Sequence, residues 1–309
     1  MCRDAARGRR GIFPLVPGHR WSERRDGPAG PLTYARSVHG DDGVLDGLFR
    51  PDSATFLPGG ALCVSELSGG RVLVLDGDER RALMGLACPT GLACDAAGTL
   101  YVAMGHAAAV HAIPRDGAQP TATGGDAPLR YPRGLALASV AGSADGPRLF
   151  VADPPARCIH VLRASDLRYE RCVGADALAG PTGVAADAAR QRLYAVDAPR
   201  SVIGVYSLRG EPVCQIGPQL GVTALDGPTG IALHAGLLLV AEGGGRRLLA
   251  LTLDGEAVQV TAAQPGGADD PAQGCGGMSS VCAYERRVVA VDFENHCLHF
   301  FHFRPPELC

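Results

Sequence analysis

Short apolar runs separated by polar turns recur along this chain, and they recur in phase. A Pro-x-Gly step opens a run at Pro89-Thr90-Gly91, Pro132-Arg133-Gly134, Pro181-Thr182-Gly183 and Pro228-Thr229-Gly230, and looser copies open at Pro51 and Met278. Successive starts lie 38, 43, 49, 47 and 50 residues apart. A period of about 40–50 residues filled with runs of four to seven apolar positions is the spacing of four-stranded propeller blades. The pattern therefore predicts an all-β protein, a six-bladed β-propeller of four-stranded antiparallel blades.

A second landmark keeps the same phase. An apolar run ends in an acid at Glu66, Asp153, Asp197, Glu242 and Asp292, with Met104 in the second copy. Six residues beyond each comes an aliphatic: Val72, Val110, Ile159, Ile203, Leu248 and Leu298. The acids read as turn caps, their carboxylates accepting from exposed backbone N–H groups, rather than as catalysts. Within each copy, strand a follows Pro-x-Gly and strand b precedes the acid. Strand c is the segment such as Arg71–Leu75 or Val202–Tyr206, and strand d is the more polar outer segment such as Val213–Ile216. The sixth copy stops after strand c, and Leu32–Val38 is predicted to supply its missing outer strand, which would hide two open sheet edges. Domain bounds follow: a disordered Arg/Gly/Pro-rich extension over 1–32, the propeller over 33–302 and a tail over 303–309. The insert Ser139 to Pro147 is expected to form a surface loop in the third copy.

The last copy, Asp292-Phe293-Glu294-Asn295-His296-Cys297-Leu298, resembles the motif that defines NHL repeats, with Asn295, His296 and Leu298 in the naming positions. Arg71 and Arg247 keep part of that frame elsewhere, whereas Asn295 is the only asparagine of the chain. The resemblance spans roughly residues 33 to 302. It implies a non-catalytic interaction module that binds a protein partner on a blade face, with substrate recognition in ubiquitin ligation as one form of that role. The Cys/His spacing of a separate zinc-bearing ligase domain is missing. Some NHL propellers bind RNA, so an RNA-binding propeller is an alternative, and a metal-dependent lactonase or lyase with a central-channel site is another.

Composition narrows the choice. The chain has 309 residues and a net charge of −3, which gives no general attraction to nucleic acid or anionic membrane. All 29 basic residues are arginine, which excludes Schiff-base chemistry on lysine. The 11 cysteines form no C-x-x-C pair, and Cys63, Cys94, Cys158, Cys282 and Cys297 fall in predicted strands as small hydrophobes, consistent with a reduced, cytoplasmic protein. No run is long enough to cross a membrane as a helix. Arg3, Arg7, Arg9, Arg10, Arg20, Arg24 and Arg25 stand beside Asp4 and Glu23 without an apolar signal core, leaving an organellar transit peptide as an alternative to a tail. A monomer is expected.

A propeller site belongs at the central channel, where the innermost strands converge. The residue after each repeat start points there, giving a ring of Asp52, Thr90, Arg133, Thr182, Thr229 and Ser279 as binding candidates. Asp52 and Arg133, its only charged members, can approach one another across the channel mouth, directly or through water. Their pairing is read as stabilising the ring, with a polar anchor for a small ligand or a partner's side chain as the alternative. The peptide-amidating lyase resembles this chain in fold and places zinc-binding histidines in a Pro-His-x setting. Here hydroxyls and a guanidinium occupy that place, and they cannot replace imidazole. Gluconolactonase-type propellers use Glu and Asn oxygens around a cation, which the single asparagine cannot supply. His296, His299 and His302 are read as structural, because strand alternation turns His299 away from the other two. Gly243-Gly244-Gly245 reads as a turn. Arg80, Arg81, Arg246, Arg247, Arg286 and Arg287 are the candidates for a basic face. No cofactor and no metal site are expected.

Overall fold

The computed structural model of the chain describes residues 30–39, 48–115, 120–123, 127–217, 219–220, 223–262 and 277–305. The arginine-rich segment before residue 30, for which disorder or a transit peptide is expected, lies outside the described residues, as does the end of the tail from residue 306. The molecule is a six-bladed β-propeller. Each blade is a four-stranded antiparallel sheet, and the only helical turn among the described residues is a 3-10 turn at Ala198–Arg200.

The strands fall where the two landmarks place them. Blade 1 is built from Pro51–Phe56, Leu62–Glu66, Arg71–Asp76 and Glu79–Met84. Blade 2 uses Pro89–Cys94, Leu100–Met104 and Ala109–Ile113, with an outer strand reduced to Thr121–Ala122. Blade 3 runs through Leu135–Ser139, Pro147–Asp153, Cys158–Arg163 and Tyr169–Val173, its first turn carrying the seven-residue insert 140–146. Blade 4 comprises Pro181–Asp187, Arg192–Asp197, Val202–Ser207 and Pro212–Ile216, and blade 5 comprises Pro228–His234, Leu237–Glu242, Arg247–Thr252 and Ala257–Ala262. Blade 6 takes three strands from the end of the chain, Met278–Tyr284, Arg287–Asp292 and Cys297–Phe303, and its outer strand from the beginning, Leu32–His39. That strand pairs from Leu32↔Phe303 to His39↔Cys297, so blade 6 is closed by the N-terminal segment, and pairing extends one residue into the expected tail. A short hairpin, Gln219–Leu220 with Thr223–Ala224, adds to the link between blades 4 and 5.

The core lies between the blades. Six clusters of buried apolar residues each join two neighbours: Val196 and Ile203 of blade 4 pack on Val240 and Leu249 of blade 5, and Val289 and Leu298 of blade 6 on Ala54 and Val64 of blade 1. Strand b is covered on both sides, so every residue of Leu62–Glu66 and of Leu237–Glu242 is buried. This is why strand b reads as an unbroken apolar run, not as an alternation. The outer strand Glu79–Met84 is almost wholly exposed and correspondingly polar.

The glycine of Pro-x-Gly is explained by the narrow inner end of the channel, where adjacent strands touch through their backbones. A Cβ at Gly91 would sit 1.8 Å from the Arg133 carbonyl oxygen, and one at Gly183 would sit 2.8 Å from that of Thr229. In blades 1 and 6 the position holds Ser53 and Ser280, whose hydroxyls lie 3.3 Å apart. Gly91→Ala should therefore force blades 2 and 3 apart and cost about 1–3 kcal/mol or more. Gly217→Ala, with nothing within 4 Å of its Cβ, should be nearly silent in the same thermal melt.

Candidate functional site

The channel ring has two parts. Its hydroxyl members stitch blades together: Thr90 Oγ1 donates to the Pro132 carbonyl at 2.8 Å, Thr182 Oγ1 to that of Thr229 at 2.9 Å, and Thr229 Oγ1 to that of Met278. Ser65 Oγ donates to the Thr90 carbonyl at 2.6 Å, the Gly134 N–H to the Thr182 carbonyl at 3.0 Å, and the Ser53–Ser280 contact closes the circle. Ser279 Oγ donates within its own blade, to Val291 O at 3.4 Å. Thr and Ser are favoured here because a short hydroxyl reaches a neighbour's carbonyl without filling the channel.

The charged members meet. Arg133 Nη2 donates to Asp52 Oδ1 at 2.8 Å, joining blade 3 to blade 1 past blade 2. The Asp52 side chain is 7% exposed and that of Arg133 28%, so the pair is half-sheltered yet open to the channel. Asp52, Arg133, Thr182, Thr229 and Ser279 line a cavity of about 270 Å³, and Asp52 and Arg133 are the only charged residues in its wall. Away from them, the small side chains Ala93, Ala136, Ala185 and Ala232 leave the channel open.

Two neighbours of this pair were not foreseen. Tyr131 precedes Pro132 and Cys88 precedes Pro89, and the Tyr131 hydroxyl lies 3.5 Å from Cys88 Sγ. Burial, the Cys88 contact and the charge of Asp52 push the Tyr131 phenol up to about 12, against the opposing charge of Arg133. Both residues stand immediately before a repeat start, the one signal that could have pointed to them.

The buried acids do more than cap their own turns. Asp197, 0% exposed, accepts from the N–H groups of Ala179 and Gly180 at 2.8 and 3.0 Å, on the segment leading into strand a of its own blade. Glu66 holds the Phe49 N–H and Glu242 the Asp226 N–H at the equivalent place. Asp153 holds those of Arg130 and Tyr131, and also Ala156 in its turn. Burial pushes the Asp153 carboxyl up, but bonds from His160 and these three N–H groups outweigh it and hold the carboxyl below its ordinary value. Where the acid is Glu it pairs with arginine five positions on, Arg71 or Arg247; in blades 3 and 6 it is Asp and pairs with His160 or His299.

The three histidines are not brought together. His299 is buried, His302 is exposed, and His296 stands in the turn at φ 53°, accepting from the Arg50 N–H at 3.1 Å. The arginine pairs do not share a face either. Arg246 and Arg247 sit at a b–c turn, Arg286 and Arg287 at an a–b turn, which is the other end of the blade, and Arg80 and Arg81 lie on an outer edge strand. Arg247 is committed to Glu242, and Arg287 to Gly60 O and the faces of Phe56 and Tyr284. The Gly243–Gly245 segment forms the b–c turn of blade 5.

A scan against protein-family models found no match, and neither did a search of curated proteins. Solved structures do match. A virginiamycin B lyase from Staphylococcus aureus is 12% identical with a TM-score of 0.63, over 88% of this chain and 100% of that one. A gluconolactonase from Xanthomonas campestris is 20% identical with a TM-score of 0.62, over 91% and 99%. A putative gluconolactonase is 16% identical with a TM-score of 0.65, over 90% and 93%. At these identities the likeness establishes the six-bladed propeller fold. These similar structures are enzyme propellers of the lyase and lactonase kinds, not NHL proteins, and that overturns the expectation of a non-catalytic interaction module. The physical reason lies in what that expectation rested on: Asn295, His296 and Leu298 describe a turn and a strand, which report architecture rather than activity.

Proposed function

We propose that this chain is a small-molecule enzyme of the lactonase or lyase kind, working in its central channel with Asp52 and Arg133 as the reacting pair. The observation that carries the reading is the placement of these two charges, alone among uncharged walls, at one end of a cavity of about 270 Å³. That volume is near the lower end of ordinary ligand sites and suits a single-ring substrate. The fold shared with lyase and gluconolactonase structures supports the same reading.

Such enzymes imply a divalent cation, and the channel residues do not fit one. Its wall offers a single carboxylate, already paired with arginine, and no imidazole. The chemistry is therefore assigned to the side chains themselves. In lactone opening, Asp52 takes a proton from the attacking water while Arg133 receives the oxyanion that forms at the carbonyl. The ring C–O bond then breaks as Asp52 returns its proton to the departing alkoxide oxygen, and the new carboxyl group loses its proton to solvent, leaving a hydroxy acid whose carboxylate stays on the guanidinium. In an elimination Asp52 would remove the proton α to a carbonyl and Arg133 would hold the enolate, which collapses to the Cα=Cβ double bond as the β-substituent leaves with its bonding pair and takes the proton from Asp52.

The proposal extends to setting. A reducing, cytoplasmic compartment is proposed, in keeping with Cys63, Cys158 and Cys282 serving as buried strand residues, and no helix among the described residues is long and apolar enough to cross a membrane. The chain is proposed to act as a monomer, and its kinship to NHL repeats is retained only as a description of blade sequence.

A panel of small lactones and β-substituted carbonyl compounds tests the reading. The wild type should turn over at least one of them, with no increase on adding divalent cations, and Asp52→Asn should lower kcat by about 100-fold or more. A full-rate Asp52→Asn enzyme, or no turnover across the panel, would remove the assignment.

A further inference from the structure

We infer that Asp292, Cys297 and His299 form a structural zinc site inside blade 6, at the point where the N-terminal strand closes the ring. Among the described residues these are the only three Asp, Glu, Cys or His side chains whose ligand atoms all lie within 4.8 Å of one another. They are 0%, 1% and 2% exposed.

The spacing is that of a coordination shell. His299 Nε2 stands 3.1 Å from Asp292 Oδ2 and 3.6 Å from Cys297 Sγ. With ordinary Zn–N, Zn–O and Zn–S bond lengths, a tetrahedron has N···O edges of about 3.4 Å and N···S edges of about 3.6 Å. The second ring nitrogen is held from outside: Ser37 Oγ lies 2.6 Å from His299 Nδ1, and Tyr34 Oη lies 2.7 Å from Ser37 Oγ. An outer hydrogen bond of this kind fixes the ring so that the opposite nitrogen faces the metal. Asn295 orients the carboxylate, its side-chain Nδ2 donating to Asp292 Oδ2 at 3.1 Å.

Charge agrees with burial. One carboxylate, one thiolate and a neutral imidazole around Zn²⁺ sum to zero, the condition under which ions persist without water. Binding displaces the Cys297 proton to solvent, and no oxidation or reduction is involved. The mixed N/O/S set favours zinc over calcium or magnesium, which select oxygen alone.

The chain itself contains a comparison. The first residue of strand c is Arg71, Ala109, Cys158, Val202, Arg247 or Cys297 in the six blades. Cysteine occurs there only in the two blades that also carry both the Asp and the His, whereas blade 2, with His111 but Met104 in place of an acid, has Ala109. A hydrogen-bonded Asp–His pair has no need of a thiol, and a ligand set does. Blade 3 holds a looser copy. Its His160 Nε2 is 3.5 Å from Asp153 Oδ2 and 3.7 Å from Cys158 Sγ, and its three ligand atoms do not all fall within 4.8 Å of one another. The site is therefore assigned to blade 6 alone. It would pin strands b and c of that blade and, through Ser37, the N-terminal strand.

Metal analysis of the full chain, purified without chelators, should find one zinc per molecule, and the stripped protein should take up one Co²⁺ with a thiolate-to-cobalt charge-transfer band. Cys297→Ser should abolish the band, whereas Cys158→Ser should keep it. Stripping zinc should lower the melting temperature of the wild type. A folded wild type that holds no zinc and gives no cobalt–thiolate band overturns the site, as does a band that survives in Cys297→Ser. The readout is spectroscopic, so it stands or falls independently of channel turnover.

Discussion

Removal of residues 1–40 is expected to lower the melting temperature by about 10–20 °C, or to prevent folding outright. The outer strand of blade 6, Leu32–His39, comes from the far end of the chain and pairs with Cys297–Phe303 along its length. Its loss would expose one edge of blade 6 and uncover Phe301 and Phe303, on which Leu32 packs, and Leu298 and Phe300, which share a cluster with Val38. Leu32 and Val38 are buried at 4% and 3% exposure, and each such side chain contributes about 1.5–3 kcal/mol. With the lost edge hydrogen bonds the total is about 5 kcal/mol, and for a domain of this size each kcal/mol moves the midpoint by about 2–4 °C. Since whole domains are stable by only about 5–15 kcal/mol, failure to fold is within the expected range. Equal melting of the truncated and full chains would refute closure by this strand.

Asp197→Ala is expected to cost about 2–4 kcal/mol in chemical denaturation, because it leaves the buried Gly180 N–H and the half-buried Ala179 N–H without an acceptor, at about 1–3 kcal/mol for a fully buried group. A cap on an exposed turn, the role first read from the sequence, would cost only about 1 kcal/mol. The size of the effect therefore separates a surface cap from a buried tether between strand b and the segment entering strand a. A loss below about 1 kcal/mol would return Asp197 to the simpler role.

These two residues sets illustrate what a sequence carries. Blade number, strand order and the N-terminal closure were legible because they follow from periodic apolar runs, and a missing strand in the sixth copy has few places from which to be supplied. The meeting of Asp52 and Arg133 was legible for a similar reason: once the ring is placed, it has two charges. The tethering by Asp197, Glu66 and Glu242 was not, because their partners are backbone N–H groups, which leave no mark on residue identity. The b–c turns hid in the same way. Each ends in a left-handed residue, Gly70, Ala108, Arg157, Ser201, Arg246 or His296, and only the first is the glycine that would have signalled it. Tyr131 and Cys88 escaped because nothing in spacing distinguishes residues before proline that meet each other from those that do not. Function was the least legible of all, since the residues that resemble NHL repeats build a turn, while the candidate chemistry belongs to two positions of a ring whose other members are hydroxyls bonded to backbone carbonyls.

The central claim, that the channel pair receives a small carboxylate or carbonyl ligand, is tested most directly by calorimetric titration. The ring-opened hydroxy acid of whichever lactone the wild type opens would be titrated into wild-type protein and into Arg133→Ala. Binding to the wild type, weakened by about 10-fold or more in the variant while the two melt within a few degrees of each other, is the result this account predicts. Equal affinity in both proteins would contradict it, because the only cation lining the channel would then play no part in holding the ligand.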